Sequence, residues 1–508
     1  MRAWRMLLLA VLSLLLWITA ANAETRALLI GCDHFLSQQD TWPASHHNAE
    51  AMAAALQGLR EPPSVTVTLP DGLSSADALA QAVQDAFDGV TAEDTCIFYV
   101  STHGLWEEGQ SAGDFSLLLS DGSREAAVTA LELKRLLDAF PARKLLILDA
   151  CHSGALIGKG VPLPAVNLFA GRDYLVLCSS GGMEDSFFWA SDGESGAGAG
   201  FFTDCLIRGI SDLGNAAADE NRDSAVTLTE LHRYLLASHG TSSAQAYPEN
   251  SDEPIFLLRE NRRLNRSAML NNVRFETGAL SIASPSISLS FTVLQPVRVG
   301  YQMIYQRGGA WDFDGAELIW DQPDLPGQPA GQLEPGYKER TVTLHTWDEE
   351  YGEGYVLLQL LAVRGEQTVI AASTVLCLPP SDGDPQLSAE AAASFDPSSG
   401  EEACIIVRHA LPCELSVRLL DGSGTVVRRL ATLEPTRPLQ LSPTGTSFFW
   451  DGLLRDGTPA PDGIYTVRVS AQVGDELWEA EDVTLTLQRH TEKPVFRPSP
   501  IDRRFAVP

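Results

Sequence analysis

Between Thr25 and Arg259 the chain alternates two kinds of segment, and this alternation restricts its fold more than any other feature. Runs such as Cys96–Val100 and Leu145–Leu148 are apolar at every position rather than at every second one. A strand of that kind has no face to offer water, so it belongs inside a sheet covered on both sides. The pattern predicts strands over Arg26–Gly31, Ser64–Leu69, Thr95–Thr102, Lys144–Ala150, Tyr174–Ser180 and Pro254–Leu258. Helical patterns separate them over Ala44–Leu59, Ser75–Phe87, Thr129–Phe140, Phe201–Ile210 and Thr229–Ser238. Thr129 and Glu132 stand at capping-box spacing. The fold class expected is an α/β sandwich: an open, mainly parallel six-stranded sheet with helices on both faces.

Beyond Glu260 the runs become short and alternating, as in Ile287–Val293 and Val297–Tyr305, and Gly, Pro and Asp clusters separate them. This predicts two all-β sandwich domains, 263–380 and 386–488, joined through the linker-like Pro379–Pro385. The tail from Arg489 to Pro508 holds four prolines and is expected to be poorly ordered.

At the other end, Arg2 and Arg5 precede an apolar run from Met6 to Ile18, closed by the small-x-small site Ala21-Asn22-Ala23. That is the pattern of a secretory signal over residues 1–23, and the run is short for a membrane span. It places a first domain, 24–262, and the rest of the chain in the periplasm or outside the cell. No later segment approaches the length of a membrane helix. With 66 acidic and 36 basic residues the net charge is −30, which argues against a nucleic-acid partner and suits basic substrates. Eight cysteines are too few for a disulfide scaffold. Cys404 and Cys413 flank a short turn ending at Pro412, which leaves a cross-strand disulfide and two buried thiols as alternatives.

Two predicted strands end in reactive residues. The run from Cys96 leads through Thr102 into His103-Gly104, and the run from Leu145 leads through Asp149 into Cys151-His152-Ser153-Gly154. In an open parallel sheet, ligands bind beyond the carboxyl ends of the strands. If these strands are neighbours, imidazole and thiol meet there. An adjacent His can activate the thiol as a nucleophile and then protonate a leaving amine. Gly104 lets a carbonyl approach the backbone, and its N–H can join that of Cys151 as an oxyanion hole. A zinc site built from His103, Cys151 and His152 is disfavoured, because adjacent side chains diverge and no fourth ligand is evident.

These two motifs resemble the active-site motifs of the caspase-like cysteine peptidases, closest to the metacaspase and bacterial caspase-like branch. The likeness runs from Ala27–Gly31 through Asn48–Met52 to Pro254–Phe256. It implies the caspase-like sandwich with His103 and Cys151 as the catalytic dyad. It also implies that Asp149, two residues before the nucleophile, binds a basic P1 side chain, with Glu184 or Asp185 adding negative charge to a pocket wall. Asn48 departs from the pattern, standing where relatives often carry Asp. In related peptidases the loop after the nucleophile can be cut, and Lys159 would suit such processing.

Asp219 to Glu230 nearly fits a twelve-residue calcium loop, with ligands at Asp219, Asn221, Asp223, Thr227 and Glu230. Ser224 stands where that loop wants Gly, and the alternative is a capping box between Thr227 and Glu230. Near the C-terminus, Phe449-Trp450-Asp451-Gly452 and Asp456–Val469 resemble the Ig-like module of flagellar hook-capping proteins. Trp311, Trp320 and Trp347 read as packing residues in preference to a carbohydrate platform. The leading expectation is an exported cysteine endopeptidase acting on protein or peptide substrates after Arg or Lys. It requires no cofactor, with Ca2+ as an added candidate, and has neither nucleic acid nor membrane as partner. Its oligomeric state is not readable from the sequence. The alternative is an inactive caspase fold that presents its Ig-like modules for adhesion or partner binding.

Overall fold

The computed structural model describes residues 23–37, 44–162, 165–190, 198–211, 216–238, 242–259, 269–276, 286–307, 310–312, 315–322, 331–344, 355–365, 367–377, 384–411, 413–436, 445–473 and 476–489. All but the last residue of the signal segment, most of the Pro379–Pro385 linker and of the Gly-rich run Ser191–Gly200, Trp347, and all but Arg489 of the tail lie outside them.

In chain order the first unit comprises β1 (Thr25–Gly31), α1 (Ala44–Gln57), β2 (Val65–Leu69), α2 (Ala76–Phe87), β3 (Thr95–Ser101), β4 (His103–Leu105), β5 (Ser116–Ser120), β6 (Glu125–Thr129), α3 (Ala130–Leu137) and β7 (Arg143–Asp149). It continues with β8 (Tyr174–Cys178), β9 (Phe188–Ala190), β10 (Gly198–Gly200), α4 (Phe201–Ile210), β11 (Ala225–Thr227), α5 (Leu228–Ser238), β12 (Gln245–Tyr247) and β13 (Pro254–Leu257). Six of these strands make one sheet in the order β12-β8-β7-β3-β1-β2. It is parallel except at the edge strand β12, which runs antiparallel to β8.

The all-apolar strands follow from two covers. Leu28, Val100 and Leu146 face one layer with Leu79, Val83 and Phe87 of α2 and Leu133 of α3. Leu29, Tyr99 and Ile147 face the other, with Met52 and Leu56 of α1 and Phe202 and Leu206 of α4. Successive side chains thus bury on opposite faces, each contributing about 1.5–3 kcal/mol. Truncating one, such as Leu146→Ala, costs about 2–5 kcal/mol. Thr129 caps α3 with a complete capping box to Glu132, and Ser75 caps α2. One expectation is corrected. Pro254–Leu257 does not join the main sheet but pairs with β11 in a separate two-stranded ladder. The sixth strand is Gln245–Tyr247, whose three residues are too few to carry a period.

The rest of the chain is strand-rich and almost entirely antiparallel. β14 (Leu270–Glu276), β15 (Ser286–Val293), β16 (Arg298–Arg307), β17 (Ala310–Trp311), β18 (Glu317–Trp320), β19 (Gly336–Thr343), β20 (Tyr355–Arg364) and β21 (Gln367–Cys377) form two sheets. Phe291, Tyr301 and Leu358 lie in the core between them. β22 (Ser388–Ala391), β23 (Ser394–Phe395), β24 (Ala403–Arg408), β25 (Cys413–Leu420), β26 (Val426–Thr436), β27 (Thr446–Trp450), β28 (Gly463–Val473), β29 (Glu476–Glu479) and β30 (Val483–Leu487) form two more. There Trp450 is fully buried, with its ring centroid 5.4 Å from Phe395 and 4.8 Å from Tyr465. Its Nε1–H donates to Leu453 O at 2.9 Å, which satisfies the one polar atom that burial would penalise. Cys404 and Cys413 are free thiols, so of the two alternatives the disulfide is not formed. Trp320 packs under the Arg298 guanidinium, 3.7 Å from its ring centroid.

The last β unit sits on the first through desolvated polar contacts. Lys159 Nζ lies 2.9 Å from Glu249 Oε1, each side chain 4% exposed, and the same oxygen accepts Phe449 N–H at 2.9 Å. Glu402 accepts Tyr247 O–H at 2.7 Å and Asn167 Nδ2–H at 3.3 Å. Glu434 lies 3.9 Å from His232 Nδ1. Among the described residues, no helix is long and apolar enough to cross a membrane.

Candidate active site

β3 and β7 are neighbours with Ser101 opposite Asp149, and Thr102 N–H donates to Asp149 O at 3.1 Å. The two chains therefore leave the sheet at the same level and on the same edge. Gly104 packs directly on the Cys151 backbone: a Cβ placed there would stand 1.9 Å from Cys151 O. Only glycine allows that approach. The two strand-end motifs, far apart in sequence, are in contact.

His103 opens β4, which pairs with β5. Its ring meets Phe35 edge-on, centroids 4.5 Å apart. Burial holds its pKa below the usual histidine value, with Glu125 and Asp33 opposing. Cys151 Sγ accepts Ser186 N–H at 3.3 Å and points its S–H toward Ser186 O at 3.6 Å. Burial is also the main cause that pushes the Cys151 thiol up to about 12. Both groups are driven toward their uncharged forms. Among the described residues, the sulfur's hydrogen-bond partner is Ser186 rather than His103. His152 is left-handed, φ 59°, and its Nδ1 lies 3.1 Å from Gly182 O, so it turns toward the 182–185 loop. That turn holds a conformation that ordinary residues adopt at a cost, next to Cys151.

Asp149 is buried and ringed by neutral donors. Thr203 Oγ1–H reaches Oδ2 at 2.7 Å, Asn48 Nδ2–H reaches it at 3.4 Å, and Ser186 Oγ–H reaches Oδ1 at 3.0 Å. Burial raises its pKa, and the hydrogen bonds from Thr203 and Ser186 oppose the rise. Gly200 closes over it, since an added Cβ would stand 2.3 Å from Oδ2. Ser186, Thr203 and Phe35 complete the site and were not found by sequence reasoning. No motif marks them, and they arrive from three separate segments.

Other predicted site residues lie elsewhere. Glu184 is not a pocket wall. It is buried, its carboxylate accepting the N–H groups of Gly181 and Ser243, and so it pins a loop. Asp185 is exposed, 3.6 Å from His152 Nε2. Lys159 does not sit on an exposed, flexible loop: it is 3% exposed beneath the last β unit and paired with Glu249, out of reach of a processing enzyme. In the 219–230 loop, Glu230 accepts Thr227 N–H at 2.9 Å while Thr227 Oγ1 accepts Glu230 N–H at 3.1 Å, which is the capping-box alternative. Asp219 accepts Ser224 N–H, and Asn221 and Asp223 each accept an N–H two residues on. Among the described residues, no three His, Cys, Asp or Glu side chains converge to hold a metal ion, so the five candidate ligands do not meet as a set.

Residues 24–255 match the family model of the caspase domain. No curated protein matches the chain. Among solved structures, caspase-1 from Spodoptera frugiperda is 17% identical, with a TM-score of 0.29, over 42% of this chain and 76% of that one. Dimeric latent PorU from Porphyromonas gingivalis is 13% identical, with a TM-score of 0.18, over 41% of this chain and 18% of that one. The class 5 fimbriae chaperone CfaA is 13% identical, with a TM-score of 0.24, over 43% of this chain and all of that one. Of these likenesses, the match to the family model is the one that says what kind of domain residues 24–255 form.

Proposed function

Residues 24–255 are a caspase-family domain, and on that premise we propose that the chain is a cysteine endopeptidase with Cys151 as nucleophile and His103 as acid and base. The observation that carries this reading is the backbone contact of Gly104 with Cys151 O at the carboxyl ends of neighbouring parallel strands. Substrate binding aligns the carbonyl carbon with the sulfur. Cys151 gives its proton to His103 as the C–S bond forms, and the oxyanion takes N–H bonds from Gly104 and Cys151. Collapse breaks the C–N bond, and the imidazolium delivers its proton to the departing amine. His103 then deprotonates a water that attacks the thioester, releasing the acid and restoring the thiol.

We assign the P1 pocket to Asp149. Its buried carboxylate, set among Ser186, Thr203 and Asn48, suits the cation of Arg or Lys. The neutral Asn48 leaves one fewer negative charge beside the pocket than an Asp would. The basic N-terminus, apolar run and small-residue site support export to the periplasm or beyond.

A peptide acylating probe with Arg at P1 should label the wild type and fail on Cys151→Ala, and a fluorogenic panel varying only P1 should favour Arg and Lys. Wild type that neither takes the probe nor cleaves any peptide would overturn the proposal. The rival reading, an inactive fold presenting its β units to partners, draws on the thiol's bonds to Ser186 in place of His103.

A further inference from the structure

Ser186 touches both halves of the proposed site at once. Its peptide N–H and carbonyl engage the Cys151 sulfur, and its hydroxyl occupies Asp149 Oδ1. Those are the places where a scissile peptide and a P1 side chain would lie. The next residue fixes this segment from outside the domain. Phe187 packs on Ile304 of β16 and Leu357 of β20, both in the middle β unit and at most 2% exposed. Its carbonyl accepts Phe201 N–H at 3.1 Å, at the start of α4. The segment then enters β9, whose partner β10 brings Gly200 over Asp149.

We infer that Ser186 is a specificity-determining gate: the segment sits in the substrate's place, held by the middle β unit through Phe187, and a cationic P1 side chain is the group that displaces it. The inference rests on the peptidase reading for its substrate class. The physical reason lies in Asp149. A neutral hydroxyl donates one hydrogen bond to this buried carboxylate, whereas a guanidinium brings a charge and a planar fork of donors. A neutral P1 residue has no comparable interaction with which to replace the hydroxyl at Asp149. Opening and P1 selection are then one event, because a ligand shifts such an equilibrium only by its differential affinity for the two states.

The test reads the thiol directly. Full-length protein is treated with iodoacetamide, and alkylation of Cys151 is followed by peptide mass spectrometry, with the buried Cys178 as a control for unfolding. Ser186→Ala should alkylate roughly tenfold faster than wild type, the scale of one hydrogen bond to a charged group, and Phe187→Ala, which gives up its packing on Ile304 and Leu357, should also alkylate faster than wild type. Benzamidine, a P1 mimic, should accelerate the wild type, and the uncharged benzamide should not. Both variants alkylating at the wild-type rate, or benzamide acting as well as benzamidine, would overturn the gate. If one variant also exposes Cys178, it has unfolded and the other variant decides. Arg peptides cleaved by protein whose labelling ignores both variants would remove the gate and leave the peptidase. Benzamidine-dependent labelling with no peptide cleaved would do the reverse.

Discussion

Removing the Lys159 ammonium should loosen the join between the first and last units. Its Nζ lies 2.9 Å from Glu249 Oε1, with both side chains 4% exposed. At an effective dielectric near 20 the gross attraction is about 6 kcal/mol, most of it offset by the cost of desolvating two ions. The net worth of the pair is therefore small, but deleting one partner is not. Lys159→Met leaves Glu249 buried with the Phe449 N–H as its remaining donor in the pair's surroundings. The expected loss is about 3–5 kcal/mol, or roughly 10 °C in the transition that melts this junction. The double variant Lys159→Met, Glu249→Gln removes both charges and keeps an acceptor for Phe449 N–H, so it should lie within about 1–2 kcal/mol of wild type. Calorimetry and denaturant titration of the four proteins in this cycle measure the coupling directly. A single variant costing under about 1 kcal/mol, or effects that simply add, would refute the reasoning.

On the proposed peptidase reading, Gly104→Ala should cut kcat/KM by roughly a hundredfold or more, because its methyl would press on Cys151 O and shift Cys151; unchanged kinetics in a folded variant would contradict the site geometry. Since burial pushes the Cys151 thiol up to about 12, its alkylation rate in the resting protein should climb steadily from pH 7 to about 10; a plateau near neutrality would mean a preformed thiolate–imidazolium pair. Burial raises Glu402 and Glu434 from 4.5 to about 7 in the fold. Each therefore favours the folded state fully below about pH 4.5 and loses that contribution as pH rises through 7. Folding stability, followed by denaturant titration, should fall between about pH 5 and 8 by up to about 3 kcal/mol per group, and Glu402→Gln with Glu434→Gln should flatten that slope; an equally steep slope in the double variant would count against it.

The first domain was largely legible because burial on two faces imposes an apolar code that needs no partner to be read. Leu145–Leu148 and Cys96–Val100 declare a covered sheet, and Thr129 with Glu132 declares a helix start. Gln245–Tyr247 was not legible, since three residues at a sheet edge carry no periodicity. Pro254–Leu257 misleads for the opposite reason: it is strand-forming, but strand propensity does not say which strand it will pair with.

The chemistry divides the same way. Thiol, imidazole and the glycine between backbones are written into two short strings, because each role demands a residue type. Which carboxylate shares Ser186 with the Cys151 thiol is not written there. Asp149, Glu184 and Asp185 look alike in sequence, yet the fold buries the first beside Ser186, spends the second on loop N–H groups and leaves the third in water. Lys159 looks like an exposed loop residue until Glu249 and Phe449 arrive from distant parts of the chain. Composition and pattern act locally, through what each residue can bury or donate. Charge and hydrogen bonding act through neighbours, and those are chosen only when distant segments pack and water leaves.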